Sequence, residues 1–131
     1  MILFLSLLMP PIVVHYVKSF YHPNGYIIMR KPFKKTILID LDGVLNMYTG
    51  NFDKNYIPPA SNGAKEFLSE LSLKYNIVIF TTREKELTLK WVKDYKMDKY
   101  ITDITNTKEP CYLYIDDRCI KFNGDFQDLK M

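Results

Sequence analysis

Residues 36–41 (TILIDL) constrain this chain more than any other stretch, because they are apolar on both faces and run straight into acid. A strand wetted on one side alternates apolar and polar residues. This run does not alternate, so it belongs inside a sheet covered on both faces. Such sheets are parallel, and parallel strands need crossovers, usually helical. The following residues supply them. Ser61 and Asn62 are N-cap types, and Ala64, Phe67, Leu68 and Leu71 then recur at i, i+3, i+4, i+7 as one apolar helical face. Residues 74–76 end that helix, and residues 77–80 (IVIF) read as a second buried strand. Residues 84–95 read as the next helix, with Leu87, Trp91 and Tyr95 on one stripe and acids in its first turn. Residues 100–102, 111–115 (CYLYI) and 120–122 are the expected third, fourth and last strands. The fold class is α/β with a mainly parallel sheet and right-handed crossovers.

At 131 residues the chain has the size of one domain, and 47% hydrophobic with 25% charged residues is globular composition. Cys111 and Cys119 are too few for a disulfide scaffold or a Cys-rich zinc site, and His15 and His22 lie far from other potential ligands. The net charge of +3 is unevenly spread. Residues 1–36 hold Lys18, Arg30, Lys31, Lys34 and Lys35 and no acid, whereas the other 95 residues hold 13 basic and 15 acidic side chains. The body is therefore mildly acidic, which disfavours a nucleic-acid partner. Residues 1–17 (MILFLSLLMPPIVVHYV) invite a signal or anchor reading. Against it, no Lys or Arg precedes the run, Pro10 and Pro11 interrupt it, and 17 residues is the lower limit for a span. Met29 offers a second start. The favoured organisation is an apolar arm or over-extended start over residues 1–28 and a folded domain over 29–131. Membrane contact is expected only if residues 1–17 anchor the chain. Few cysteines and no convincing export signal point to the cytoplasm.

The polar residues at the strand ends carry the chemistry. The first strand ends in Asp40-Leu41-Asp42-Gly43, the second in Thr81-Thr82-Arg83 and the fourth in Asp116-Asp117-Arg118, with Lys108 just before the fourth. In a parallel sheet these converge on the carboxyl edge, where ligands bind. Carboxylates gathered there repel and raise one another's pKa. A hard cation resolves this, and Mg²⁺ suits carboxylates combined with substrate phosphate and water. An Asp beside such a cation stays ionised and can attack phosphorus. The Thr81 hydroxyl and the Lys108 ammonium can hold the phosphoryl oxygens. Gly43 allows close backbone approach or φ > 0.

Over residues 36–123 the chain resembles the haloacid dehalogenase-like (HAD) superfamily of phosphohydrolases. Residues 40–45 (DLDGVL) are similar to its first signature, residues 77–81 (IVIFT) to its second, Lys108 to its third and residues 115–117 (IDD) to its fourth. The resemblance implies a Rossmann-like three-layer sandwich. It implies Asp40 as nucleophile and Asp42 as general acid, then base. Thr81 and the Thr82 backbone would bind phosphate, and Lys108 would offset charge. Asp40, Asp116 and the Asp42 carbonyl would hold Mg²⁺, with Asp117 behind them. Glu109 separates Lys108 from Pro110, which makes Lys99 and Lys121 alternative lysines, and only 14 residues follow Asp117, so a short final part of the sheet is expected. Residues 46–59 are too short for an inserted lid domain and read as a flap, and one helix and one strand fill the stretch from Thr81 to Lys108. No cap domain is expected.

An open pocket suits a bulky substrate or a lid borrowed by homo-oligomerisation. Tyr48, Phe52 and Tyr56 of the flap are candidate substrate contacts, and Arg83 and Arg118 candidate sites for a second anionic group. The expected substrate is a phosphomonoester, a small molecule before a macromolecule. Two other functions stay open: phosphotransfer or removal of a nucleotide or nucleic-acid end phosphate on the same site, and a non-catalytic phosphate-responsive module. The last is disfavoured by residue order, because in receiver domains the phosphorylated Asp lies mid-chain and the Lys comes last.

Overall fold

The computed structural model describes residues 19–21, 23–25, 27–29 and 33–129. The chain divides into two compact units, Met1–Phe33 and Lys34–Met131. In the first, β1 (Ser19–Tyr21) pairs antiparallel with β2 (Ile27–Met29), Ser19 opposite Met29. The expected boundary at residues 28 and 29 thus falls inside this hairpin. The reading of residues 1–17 as an arm or anchor lies outside the described residues. Among those described, no helix is long and apolar enough to cross a membrane.

The second unit is an α/β domain. Its sheet has the order β5-β4-β3-β6, all parallel. β3 is Thr36–Asp40, β4 Asn76–Phe80, β5 Asp103–Thr105 and β6 Leu113–Ile115. The apolar run of β3 is central: Ile37, Leu38 and Ile39 are all buried. Helix α1 (Ala64–Ser72) links β3 to β4, and α2 (Lys85–Asp94) links β4 to β5. Side chains alternate across a strand, so Ile39, Ile79 and Ile104, level in the ladder, share a face. They form one core with Leu68 of α1 and with Trp91 and Val92 of α2. Both helices therefore cover the same face, and the second helical layer of a three-layer sandwich is not among the described residues. Among the described residues, no cap domain interrupts the unit.

Four local expectations need correction. Helix α1 is entered through Gly63 at φ 81°, without a side-chain cap, so neither Ser61 nor Asn62 caps it. The third strand is 103–105, not 100–102. Tyr100 ends a 3₁₀ turn (Asp98–Tyr100), and the ladder with β4 starts where Asp103 meets Val78. The fourth strand starts at Leu113, two residues later than expected. Residues 120–122 form no strand: Ile120 and Phe122 are exposed, and Phe122 packs on Phe126 with ring centroids 4.8 Å apart. Helix α2 ends in a Schellman motif. Met97 N–H reaches the Val92 carbonyl, Lys96 N–H reaches that of Lys93, and Lys96 itself takes φ 56°. The motif returns Met97 to the core, where it is fully buried.

Candidate functional site

The sheet register assembles the site. Asp40 ends β3 level with Phe80 and Thr105, and Ile115 pairs with Ile39, so the next residue, Asp116, arrives beside Asp40. Asp40, Asp42, Thr81, Thr82, Asp116 and Arg118 line a cavity of about 200 Å³, together with Phe80 and Tyr114. Asp40, Asp116 and Asp117 each present a carboxylate oxygen within 4.8 Å of the others. Burial, then the charge of Asp116, with smaller effects from Asp117 and Asp42, pushes the Asp40 pKa up to about 6, against a lowering hydrogen bond from Leu41 N–H. Three carboxylate oxygens so placed are a set that could hold a cation. The Asp42 carboxylate is not in this cluster; the metal contact expected of Asp42 is through its backbone carbonyl.

Gly43 suits this turn on two counts. Its φ is +81°, and a Cβ there would collide with the Asp117 carboxylate. Asn46, buried, folds the turn: its Oδ1 accepts from Gly43 N–H and Tyr48 N–H at 3.1 Å, and its Nδ2 donates to Asp42 Oδ1 at 2.9 Å. Tyr114 donates its hydroxyl to Asp116 Oδ2 at 2.9 Å, while Asp116 Oδ1 accepts from Arg118 N–H at 2.7 Å. Burial and that hydrogen bond hold the Tyr114 phenol well above its usual pKa. Thr81 is buried, and its hydroxyl oxygen accepts from Arg83 N–H at 3.2 Å, which leaves the hydroxyl proton free to donate into the cavity.

Two expected contacts stand elsewhere. Arg83 is no open anion contact. It is buried, its Nε bridges both Asp42 oxygens at 2.8 and 2.9 Å, and its Nη1 donates to the Asp53 and Tyr56 carbonyls. Lys108 is exposed and does not line the cavity, although its charge is felt by the Cys119 thiol, as are those of Asp116 and Asp40. It follows β5 at the carboxyl edge, whereas Lys99 precedes β5 and belongs to the opposite end of the sheet. Lys121 is exposed beyond the fourth strand end. Arg118 lines the cavity, 74% exposed, with Nε 3.8 Å from Asp117. Cys111 and Cys119 are free, and the Cys119 pKa is raised, so neither is marked as a nucleophile. Asn46, Tyr114 and the inward role of Arg83 were missed in the sequence. An Asn four residues after Asp42 is ordinary turn composition, and nothing local marks the other two.

The fold and site define a Rossmann-like α/β domain with an acidic carboxyl-edge pocket. No protein-family profile matches the chain, and no curated protein matches it. A solved structure of a conserved protein from Bacteroides thetaiotaomicron is similar, with a TM-score of 0.54 and 22% identity, covering 67% of this chain and 79% of that one. At this identity the likeness concerns the fold.

Proposed function

We infer that this chain is a Mg²⁺-dependent phosphomonoester hydrolase of the HAD type that works through an aspartyl-phosphate on Asp40. The observation that carries this reading is the placement of Asp40, Asp116 and Asp117 within 4.8 Å beside a pocket that also holds Asp42 and Thr81. Asp40 Oδ attacks phosphorus as the bond to the leaving oxygen breaks, and Asp42 gives that oxygen a proton. Asp42 then takes a proton from water as the water attacks phosphorus and the bond to Asp40 breaks. Thr81 Oγ and Thr82 N–H donate to the phosphoryl oxygens, where charge is held throughout. Asp40, Asp116 and Asp117 would hold Mg²⁺, which would supply neutralisation so that neighbouring carboxylates stay ionised. Lys108, on the loop after β5, adds positive charge at the same edge. The small number of cysteines in the sequence favours the cytoplasm.

The test is phosphate release by the full chain from a panel of phosphomonoesters, with Mg²⁺, with chelator, and with Asp40→Asn. Turnover that needs Mg²⁺ and vanishes in the variant is expected. A folded protein that hydrolyses no ester in the panel, or an active Asn variant, overturns the reading.

A further inference from the structure

We propose that Arg83 is a positioning residue that couples the flap, residues 46–59, to Asp42, so that releasing the flap releases the proton-transfer carboxylate. The inference rests on the role given to Asp42 above. Arg83 is a rigid planar fork with a side chain only 1% exposed. One edge, Nε, spans both oxygens of Asp42, whose side chain is 14% exposed. The other, Nη1, takes the Asp53 carbonyl at 2.8 Å and that of Tyr56 at 2.9 Å, while the guanidinium lies 4.6 Å from the Phe52 ring centroid. Among the described residues, the hydrogen bonds of residues 47–57 otherwise stay within the flap and its base. The flap is fastened further on, where buried Ile57 joins the core and Trp91 Nε1 donates to the Pro58 carbonyl. The hydrogen bonds that tie its exposed middle to the body thus all come from one guanidinium, the same one that orients Asp42.

A rigid fork cannot turn at one edge and stay fixed at the other. Both Asp42 oxygens accept from Nε, so presenting one to a leaving group draws on the pair that also anchors the flap. Arg83 Nη2 is buried without a partner, so a rearrangement that brings it an acceptor gains a hydrogen bond. The coupling is reciprocal: loosening either end loosens the other.

Three variants of the full chain test this. Lys54 is exposed in the flap, so trypsin cleavage after it, followed by mass spectrometry, reads flap opening without any substrate. Asp42→Asn, which keeps the shape and removes the charge, should speed that cleavage roughly tenfold or more, as expected for loss of a charge-assisted hydrogen bond. Arg83→Met should do the same. Unchanged cleavage in Asp42→Asn overturns the coupling whether or not the protein hydrolyses any ester. Phe52→Ala removes an exposed ring from the flap side and does not touch Asp42. It should lower kcat for an alkyl phosphate, whose leaving group needs a proton, several-fold more than for 4-nitrophenyl phosphate. Equal effects on the two esters, with faster flap cleavage, also overturn it. A wild-type chain inactive on every ester sinks the hydrolase reading, while the cleavage rates still decide the clasp.

Discussion

Replacing Asp40 by Asn should make the metal-free protein more stable while ending turnover. A carboxyl whose pKa rises from 3.8 to about 6 is destabilised in its charged form by roughly 3 kcal/mol. Asp40 is only part-buried, so solvent screening reduces this to about 1–2 kcal/mol. The sign follows from proton binding. The folded state holds the Asp40 proton more tightly than the unfolded one, so this contribution is complete below pH 3.8 and is lost as pH rises through about 6. In chelator at pH 8 the Asn variant should therefore melt about 4–10 °C higher than wild type. At pH 4.5, where wild-type Asp40 is largely protonated, the gap should shrink. Mg²⁺ at pH 8 should shrink it too, by stabilising wild type. The measurement is a thermal melt of both proteins under the three conditions. Equal melting at pH 8 in chelator, or a gap independent of pH, refutes the electrostatic account of the cluster.

Gly43→Ala should cost about 2 kcal/mol through its left-handed φ and displace Asp117; a urea titration reads the first and calorimetry with Mg²⁺ the second. Lys96→Gly should stabilise by about 0.5–1 kcal/mol, because Lys occupies the left-handed position of a Schellman motif; the urea midpoint should rise at constant slope. Tyr114→Phe removes the donor to Asp116 Oδ2 and should weaken Mg²⁺ binding about tenfold without unfolding the chain, as calorimetry and a melt together will read.

The central strands and both helices were legible because their periodicity is strong and local. Residues 36–40 and 76–80 are apolar enough to read as buried strands, and Leu68 and Trp91 fall on the helix faces that spacing assigned them, whereas Phe67 and Tyr95, assigned to the same faces, stay exposed. The acidic cluster was legible for the same reason, since strand ends of a parallel sheet must meet. The third strand was misplaced by three residues because 100–102 and 103–105 are equally strand-like, and only the pairing of Asp103 with Val78 separates them. Residues 120–122 look like a strand but stay exposed outside the sheet. Arg83 was misread because its partner, Asp42, is 41 residues away. No local pattern tells an arginine aimed at substrate from one folded inward.

The strand order also has a kinetic consequence. β3, β4 and β5 are joined by successive crossovers, so three strands and both helices can assemble from sequence neighbours. β6 must cross past β4 and β3 to pair on the far side of β3, with only three paired positions to hold it. The pairing of β6 with β3 is distant in sequence, and its reward is small. Asp116 and Asp117 ride on the end of β6, so the repulsion with Asp40 enters only at this last docking. Acidic pH or a divalent cation should therefore speed the final folding phase while leaving the earlier ones unchanged.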